Sequence, residues 1–451
     1  MSVSLLSSTA MALVLSALAT DIAPPQAFDL QRLAVRTSAS GDWTHRRVDR
    51  AELEKIVDQT LEAASNAPVP EPPDWARKPW DLRRTTPDTF ADMIAAKKKR
   101  TLYHAANRRW VLESALNSPA PLRERMWLFW MDYFAIHNTD YAPHTVWDLQ
   151  ALHAGALGDY RELLRIFSRS FSAQETLNLD KNRIGHPNEN FARELLELYS
   201  LGPEYYTQGD VTEIARAFTG WRLSSRTGWF MEWPPWHDYG VKTVLGKSGR
   251  LDGDDVLEII YAHPRFSERL VERMWREFVS PKPDPEAVQR LSRDFRVDYD
   301  VRKLLRALLL EPAFWAEENR EALVKSPVEL VVDSLRNRGV RGDHGAALDA
   351  WTSLMGQTLL APPDVKGWRG YTEWLTVGTL DARLAFSRFL RFGIDASMLS
   401  TLSASSSTML MTVPEEELLA SQEALWRALE KTTVTGERNG DEVFMPGYQL
   451  K

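Results

Sequence analysis

The stretch Pro187-Asn188-Glu189-Asn190-Phe191-Ala192-Arg193-Glu194-Leu195-Leu196-Glu197-Leu198 sets dense charge against an apolar stripe. At 100° per residue, Phe191, Ala192, Leu195, Leu196, Leu198 and Tyr199 gather on one arc, and Glu189, Asn190, Arg193, Glu194 and Glu197 on the other. That spacing predicts an amphipathic helix from Glu189 to Leu201, closed by Gly202. Glu189 falls at the seam beside Leu196, where a carboxylate is expected to be partly desolvated and therefore paired or put to chemical use. A pair with Arg193, one turn along, is the plainer of the two readings.

The same grammar extends outward over residues 85–392, with apolar residues three and four apart and loops marked by Pro, Gly or Asp. Helices are predicted over 121–136, 159–171, 254–262, 265–279, 284–295, 301–310, 327–338, 346–356 and 380–392. Another starts at the capping box of Thr207 and Asp210 and ends at Gly220. One segment departs from this pattern. Residues 221–246 are rich in aromatics and β-formers, and a two-stranded ribbon pairing Trp229–Glu232 with Val241–Leu245 is predicted there. The expected fold is mainly α, a multi-helix bundle-like body with a short two-stranded β-ribbon insertion. Its expected parts are an N-terminal extension over 1–84 with a helical piece and a Pro-rich linker, a main helical domain over 85–395, and a tail over 396–451. That tail is read as a Ser/Thr-rich linker, a short helix and a polar end.

Composition narrows the function classes. With 26% charged residues and a net charge of -7, the 451-residue chain has no global basic field to draw nucleic acid. Its single basic run, Lys97-Lys98-Lys99-Arg100, goes round a helix and reads as a solvated helix end. The absence of cysteine removes disulfides, thiolate ligands and a cysteine nucleophile together. There is no Gly-x-Ser-x-Gly elbow, phosphate-cradling Gly loop or dinucleotide fingerprint, so no nucleotide cofactor is expected. Residues 10–19 are apolar and end in Ala17-Leu18-Ala19, yet no Lys or Arg precedes Arg32. This is a weak signal-peptide pattern, too short to span a bilayer, and it leaves cytoplasm and periplasm both open.

Several motifs in one order carry a family resemblance. They are Arg123-Glu124-Arg125-Met126 to Phe129-Trp130, Ala156-Leu157-Gly158-Asp159-Tyr160-Arg161, and Asn188-Glu189-Asn190-Phe191-Ala192-Arg193-Glu194-Leu195. Tyr206-Thr207 with Asp210-Val211, Ala215 to Trp221, His237-Asp238 with Lys242 and Leu245-Gly246 follow, then Gly356-Gln357, Gly367-Trp368 and Trp374-Leu375. Over about residues 100–390 the chain resembles the bacterial domain-of-unknown-function family 1800. The resemblance implies a helical protein, and as partner a protein of domain-of-unknown-function family 1501, which is similar to sulfatases and alkaline phosphatases. Where the family typically has Trp-His-Asn-His-Phe, this chain has Trp130-Met131-Asp132-Tyr133-Phe134, so two imidazoles that could bind metal or move protons are replaced. The segment Phe171-Ser172-Ala173-Gln174-Glu175 before Leu179-Asp180 also departs from the family pattern, and the chain reads as a divergent member.

Three constellations are candidates for function. Glu189 and Glu194 or Glu197 with His237 and Asp238 supply carboxylates and an imidazole suited to a divalent metal. Without metal, Glu189 with its pKa raised by the apolar arc and His237 oriented by a carboxylate would move protons, while Arg193 and Lys242 bound an anion. The plain alternative is that Asp238 caps backbone donors at a ribbon end. Lastly, Trp221, Trp229, Trp233 and Trp236 offer a platform for a partner peptide or sugar rings, or simply cover the core. The preferred reading is a helical subunit that binds its sulfatase-like partner through the Trp-rich ribbon. The alternative is an enzyme acting on a polymeric or glycosylated substrate from a cleft between the Glu189 helix and the His237 loop.

Overall fold

A computed structural model describes residues 27–39, 46–77, 89–224, 227–393 and 415–433. Residues 10–19, the Ser/Thr-rich 397–408 and the polar end beyond 433 lie outside these. Among the described residues the chain is 63% helical, with 18 helices and three two-stranded antiparallel ribbons. None of the helices is long and apolar enough to cross a membrane.

The first ribbon pairs β1 (Phe28–Asp29) with β2 (Arg47–Val48), on either side of α1 (Leu30–Thr37). Next come α2 (Arg50–Ser65), the long α3 (Phe90–Asn117), α4 (Pro121–Tyr133), α5 (Ala142–Gly155), α6 (Tyr160–Ser168) and α7 (Phe171–Thr176). The quoted stretch forms α8 (Glu189–Glu197) and the Thr207 segment forms α9 (Gln208–Ala217). Two ribbons follow, β3 (Trp221–Leu223) with β4 (Phe230–Glu232) and β5 (Lys242–Val244) with β6 (Lys247–Gly249). The remainder is α10 (Gly253–Ala262), α11 (Pro264–Phe278), α12 (Pro285–Phe295), α13 (Val301–Leu309), α14 (Pro312–Trp315), α15 (Pro327–Asn337), α16 (Gly345–Leu354), α17 (Val377–Phe392) and α18 (Glu415–Thr433).

Local chemistry accounts for most helix starts. Capping boxes open α3, α9, α10 and α15, where Thr89, Thr207, Asp252 and Ser326 exchange hydrogen bonds with Asp92, Asp210, Asp255 and Glu329. Proline in the first turn, where an amide proton has no helical partner, opens α4, α11 and α12. Two boundaries differ from expectation. The Glu189 helix stops at Glu197, and the chain turns so that the amides of Leu201 and Gly202 both reach the Leu196 carbonyl at 2.9 Å. The helix expected over 159–171 breaks into α6 and α7, because Ser170 caps a fresh start by accepting from the Ala173 amide.

The ribbon prediction is corrected in register. Trp229–Glu232 was expected to pair forward with Val241–Leu245, but Phe230–Glu232 folds back on Trp221–Leu223, and Lys242–Val244 pairs with Lys247–Gly249. Leu245 and Gly246 both take positive φ, 46° and 78°, which makes a tight turn that pairs β5 with its immediate neighbour.

One hydrophobic core runs through the body and includes residues of α1, α2 and α18. Buried arginines tie α1 down. Arg32 donates to the carbonyls of Phe314 and Ala316 at 2.7 and 2.9 Å, and Arg36 to those of Phe278, Val279 and Asn319 at 2.6, 3.0 and 2.8 Å. The Pro-rich stretch crosses the surface without helix or strand over 67–73, then closes in a 3-10 turn over Asp74–Ala76 that buries Ala76. The indoles of Trp110 and Trp147 and the amide of Gln150 bind its carbonyls at Glu71, Ala76 and Pro70. At the centre, the Tyr133 and Tyr160 hydroxyls lie 2.7 Å apart and the Tyr199 carbonyl stands 3.1 and 2.8 Å from them, so one tyrosine donates to the other and the second donates to the carbonyl.

Candidate functional site

Glu189 is not the desolvated carboxylate its seam position suggested. It accepts from the Thr212 hydroxyl at 2.8 Å, Gln208 Nε2 at 2.9 Å and Arg193 at 3.1 Å, all at the protein surface. The hydrogen bonds from Thr212 and Gln208 lead in holding its pKa below the usual carboxylate value, opposite to the raised value expected of a proton-moving Glu189. Arg193 is engaged with Glu189 and Gln208 rather than open to an anion. Glu194 is raised, first by burial and then by the neighbouring Glu197.

His237 and Asp238 sit one turn further along the same polar face of α9. Thr212 holds Glu189, and Arg216 four residues later holds Asp238, with Nε to carboxylate at 2.8 Å. The His237 Nδ1 lies 2.8 Å from the Thr219 carbonyl, and Asp238 accepts from the Gly240 amide at 2.8 Å. Lys242 is buried and donates to the carbonyls of Asp238, Gly240 and Leu251, so it fastens the loop instead of facing a ligand. The expected metal set of Glu189, Glu194, His237 and Asp238 does not converge. Among the described residues no three His, Asp or Glu side chains form a group that could hold a metal ion.

The four tryptophans also part company. Trp221 is a core residue, edge-on to Phe218 and Phe230 at 4.7 and 4.9 Å. Trp236 lies beneath the Arg222 guanidinium at 4.5 Å. Trp229 stacks on Trp147 at 5.1 Å yet stays 63% exposed, and Trp233 is 41% exposed.

Elsewhere the structure shows a cavity of about 140 Å³ that the sequence did not announce. Pro121, Glu124, Arg125, Leu128, Phe129 and Asp132 line it from one face of α4, at the three- and four-residue steps of a single helical stripe. The C-terminal half of α11 adds Arg273, Arg276 and Glu277, and α15 adds Glu329, Asp333 and Arg336. The segment over 367–374 closes the remaining side with Trp368, Arg369 and Trp374.

Most of these charges are committed. The Arg125 guanidinium pairs with Glu277 at 2.6 Å and with Glu329, and lies over the Phe278 ring at 5.3 Å. Glu329 is also the acceptor of the α15 capping box. Arg336 donates to the carbonyls of Ala115 and Ser118, and burial lowers it to about 10. Glu124 has one oxygen 3.1 Å from His153 Nε2, while its other oxygen is buried with no hydrogen-bond partner.

Asp132 is different. One oxygen accepts from the Trp368 amide at 2.7 Å, and the other stands 3.7 Å from Arg273, too far for a hydrogen bond. Burial pushes its carboxyl up to about 6, against the pull of Arg273 and the Trp368 amide, although 31% of the side-chain surface stays open. Gly367 makes the contact possible. Its φ is +78°, and a Cβ there would lie 2.4 Å from an Asp132 carboxylate oxygen. At the rim Arg369 is exposed and has no partner among the described residues.

The departures over Trp130 to Phe134 acquire a geometric meaning here. Met131 and Tyr133 point into the core, where Tyr133 joins the tyrosine cluster, and Asp132 between them lines the cavity. Residues that replace histidines are therefore not the ones this cavity presents. Compared with known families, residues 32–443 match the model described as Protein of unknown function (DUF1800). The chain belongs to this family. The match begins inside α1, well before the motifs legible by eye, in keeping with the shared core of the N-terminal helices. No curated protein and no solved structure matches this DUF1800 member. The Gly367-Trp368 motif thus has a physical role in it, presenting a main-chain donor to Asp132.

Proposed function

We propose that the cavity between α4, α11 and α15 binds a single-ring anionic ligand of the acidic-sugar type, and that Asp132 exchanges a proton with it. The observation carrying this reading is a carboxyl titrating near 6 beside Arg273, with Arg369 at the rim. A group with that pKa is present in both protonation states close to neutrality, which general acid–base chemistry requires. Arginines at the mouth suit a carboxylate or sulfate substituent, and the Trp368 and Trp374 rings supply flat apolar walls for a sugar ring. The enclosed volume of about 140 Å³ is close to the roughly 150 Å³ that takes up benzene, so it would seat the ring of a sugar only with the carboxylate and hydroxyls projecting to the open Arg369 rim. The reading is tested by calorimetric titration of the full chain with glucuronate, galacturonate and glucose. Binding of a hexuronate but not of glucose is expected, weakened roughly tenfold or more by Arg273→Ala through loss of a charged hydrogen bond. Hexuronate binding that is absent, or indifferent to Arg273→Ala, would overturn it.

The ribbon supports a second reading. Trp229, Trp233, Tyr239 and Val241 are exposed around it, between 41% and 65%, a density of apolar surface that favours a protein partner. The partner implied by the family resemblance is the sulfatase-like protein of domain-of-unknown-function family 1501. Copurification of the two, lost on Trp233→Ala and retained on Asp132→Asn, is the expected outcome of this reading. Retention of the complex in Trp233→Ala excludes the ribbon as its docking face.

A further inference from the structure

The basic run read as a solvated helix end has an unusual setting. Residues 89–100, the first three turns of α3, are exposed at every position. They are not uniformly polar. Phe90 is 74% exposed, Met93 47% and Ile94 49%, and Leu102 follows at 50%. On a helical wheel Phe90, Met93 and Ile94 fall within an arc of about 100°, Lys97 lies in the same arc, and Lys98 and Arg100 flank it on either shoulder. Lys97 and Lys98 have no carboxylate partner among the described residues. Arg100 pairs with Asp140 and Lys99 approaches the Tyr103 ring at 5.9 Å, so part of the charge is anchored and part is open.

Apolar side chains bordered by lysines suit the boundary between lipid headgroups and acyl chains. The apolar atoms leave water, while the long lysine stems carry ammonium groups back to the phosphates. We propose that the exposed start of α3 docks this protein on an anionic lipid surface. Two signals act together, a short apolar insertion and a cluster of positive charge, each too weak alone for stable attachment. A second copy of the chain is a poorer occupant, because two such faces would bring lysines against lysines. Nucleic acid would satisfy the lysines but leave Phe90, Met93 and Ile94 unburied.

The test is co-sedimentation of the full chain with phosphatidylcholine vesicles, with and without phosphatidylserine. Binding to the serine-containing vesicles alone is expected, and it should fall in about 1 M salt, where the screening length shrinks to about 3 Å. Lys97→Glu with Lys98→Glu, at exposed positions that leave the fold intact, should weaken binding at least tenfold, each surface cation contributing roughly a factor of five. Phe90→Ser with Ile94→Ser should weaken it while the thermal melt is unchanged. Wild-type protein left in the supernatant, equal binding to neutral vesicles, or a dimer that Phe90→Ser with Ile94→Ser converts to monomer would each overturn the proposal.

Discussion

Replacing Asp132 by Asn should make the protein more stable near neutrality while disabling proton exchange in the cavity. In the fold the carboxyl titrates at about 6, against an ordinary value of 3.8. Below the lower value folded and unfolded chains are both protonated, and the group contributes no difference between them. Between the two values the unfolded chain ionises freely while the fold retains its proton, so stability is lost as pH rises and then levels off above about 6. At 1.36 kcal/mol per pH unit, the ionised carboxylate costs at most about 3 kcal/mol. With 31% of the side chain open to solvent, screening reduces this to about 1–2 kcal/mol. Asparagine has the same shape, keeps an oxygen for the Trp368 amide and carries no charge to desolvate. Urea unfolding of both proteins at about pH 4.5 and about pH 8 should therefore show the variant ahead at the higher pH, with the gap narrowing at the lower. A variant less stable than wild type at the higher pH, or a gap that ignores pH, would mean that Arg273 and the Trp368 amide outweigh the burial of Asp132.

Two other substitutions probe the same logic. Gly367→Ala must place a Cβ against Asp132 in a left-handed backbone, and should cost about 3 kcal/mol or more by urea unfolding, from about 1–2 for the backbone and the rest for the overlap. Glu189→Gln removes one charge from an exposed cluster, so its unfolding free energy in urea should change by less than about 1 kcal/mol, and hexuronate titration should be unaffected.

The helices were largely readable because their ends are written in local chemistry. Thr207 with Asp210, Pro264, Pro285 and Pro327 each mark a start that needs no knowledge of the rest of the molecule. The ribbon was misread because Trp229–Glu232 pairs as well, by composition, with the segment before it as with the one after, and the choice fell to the turn at Leu245-Gly246. The cavity was hidden for another reason. Helix α4 buries Arg123, Glu124 and Arg125 alongside Met126, Trp127 and Trp130, so no polar arc separates from an apolar one and the wheel gives no direction. The visible cue was Asp132 in a run where the resemblance leads one to expect other residues, and only the packing of Gly367-Trp368 shows what it faces. For Glu189 the wheel located the seam correctly but could not supply Gln208 and Thr212, which arrive from another helix and set its chemistry.

The grip on the proline-rich crossing has a consequence for variation. Trp110, Trp147 and Gln150 hold it by the oxygen atoms of Glu71, Ala76 and Pro70, groups that every amino acid carries. The clasp is therefore blind to what side chains the gripped segment displays. Substitutions at Pro70 and Glu71 should pass unnoticed so long as the path of the main chain is kept, whereas Trp75, packed on Tyr103, and the buried Ala76 are held by their side chains as well, and losing either indole would loosen the segment.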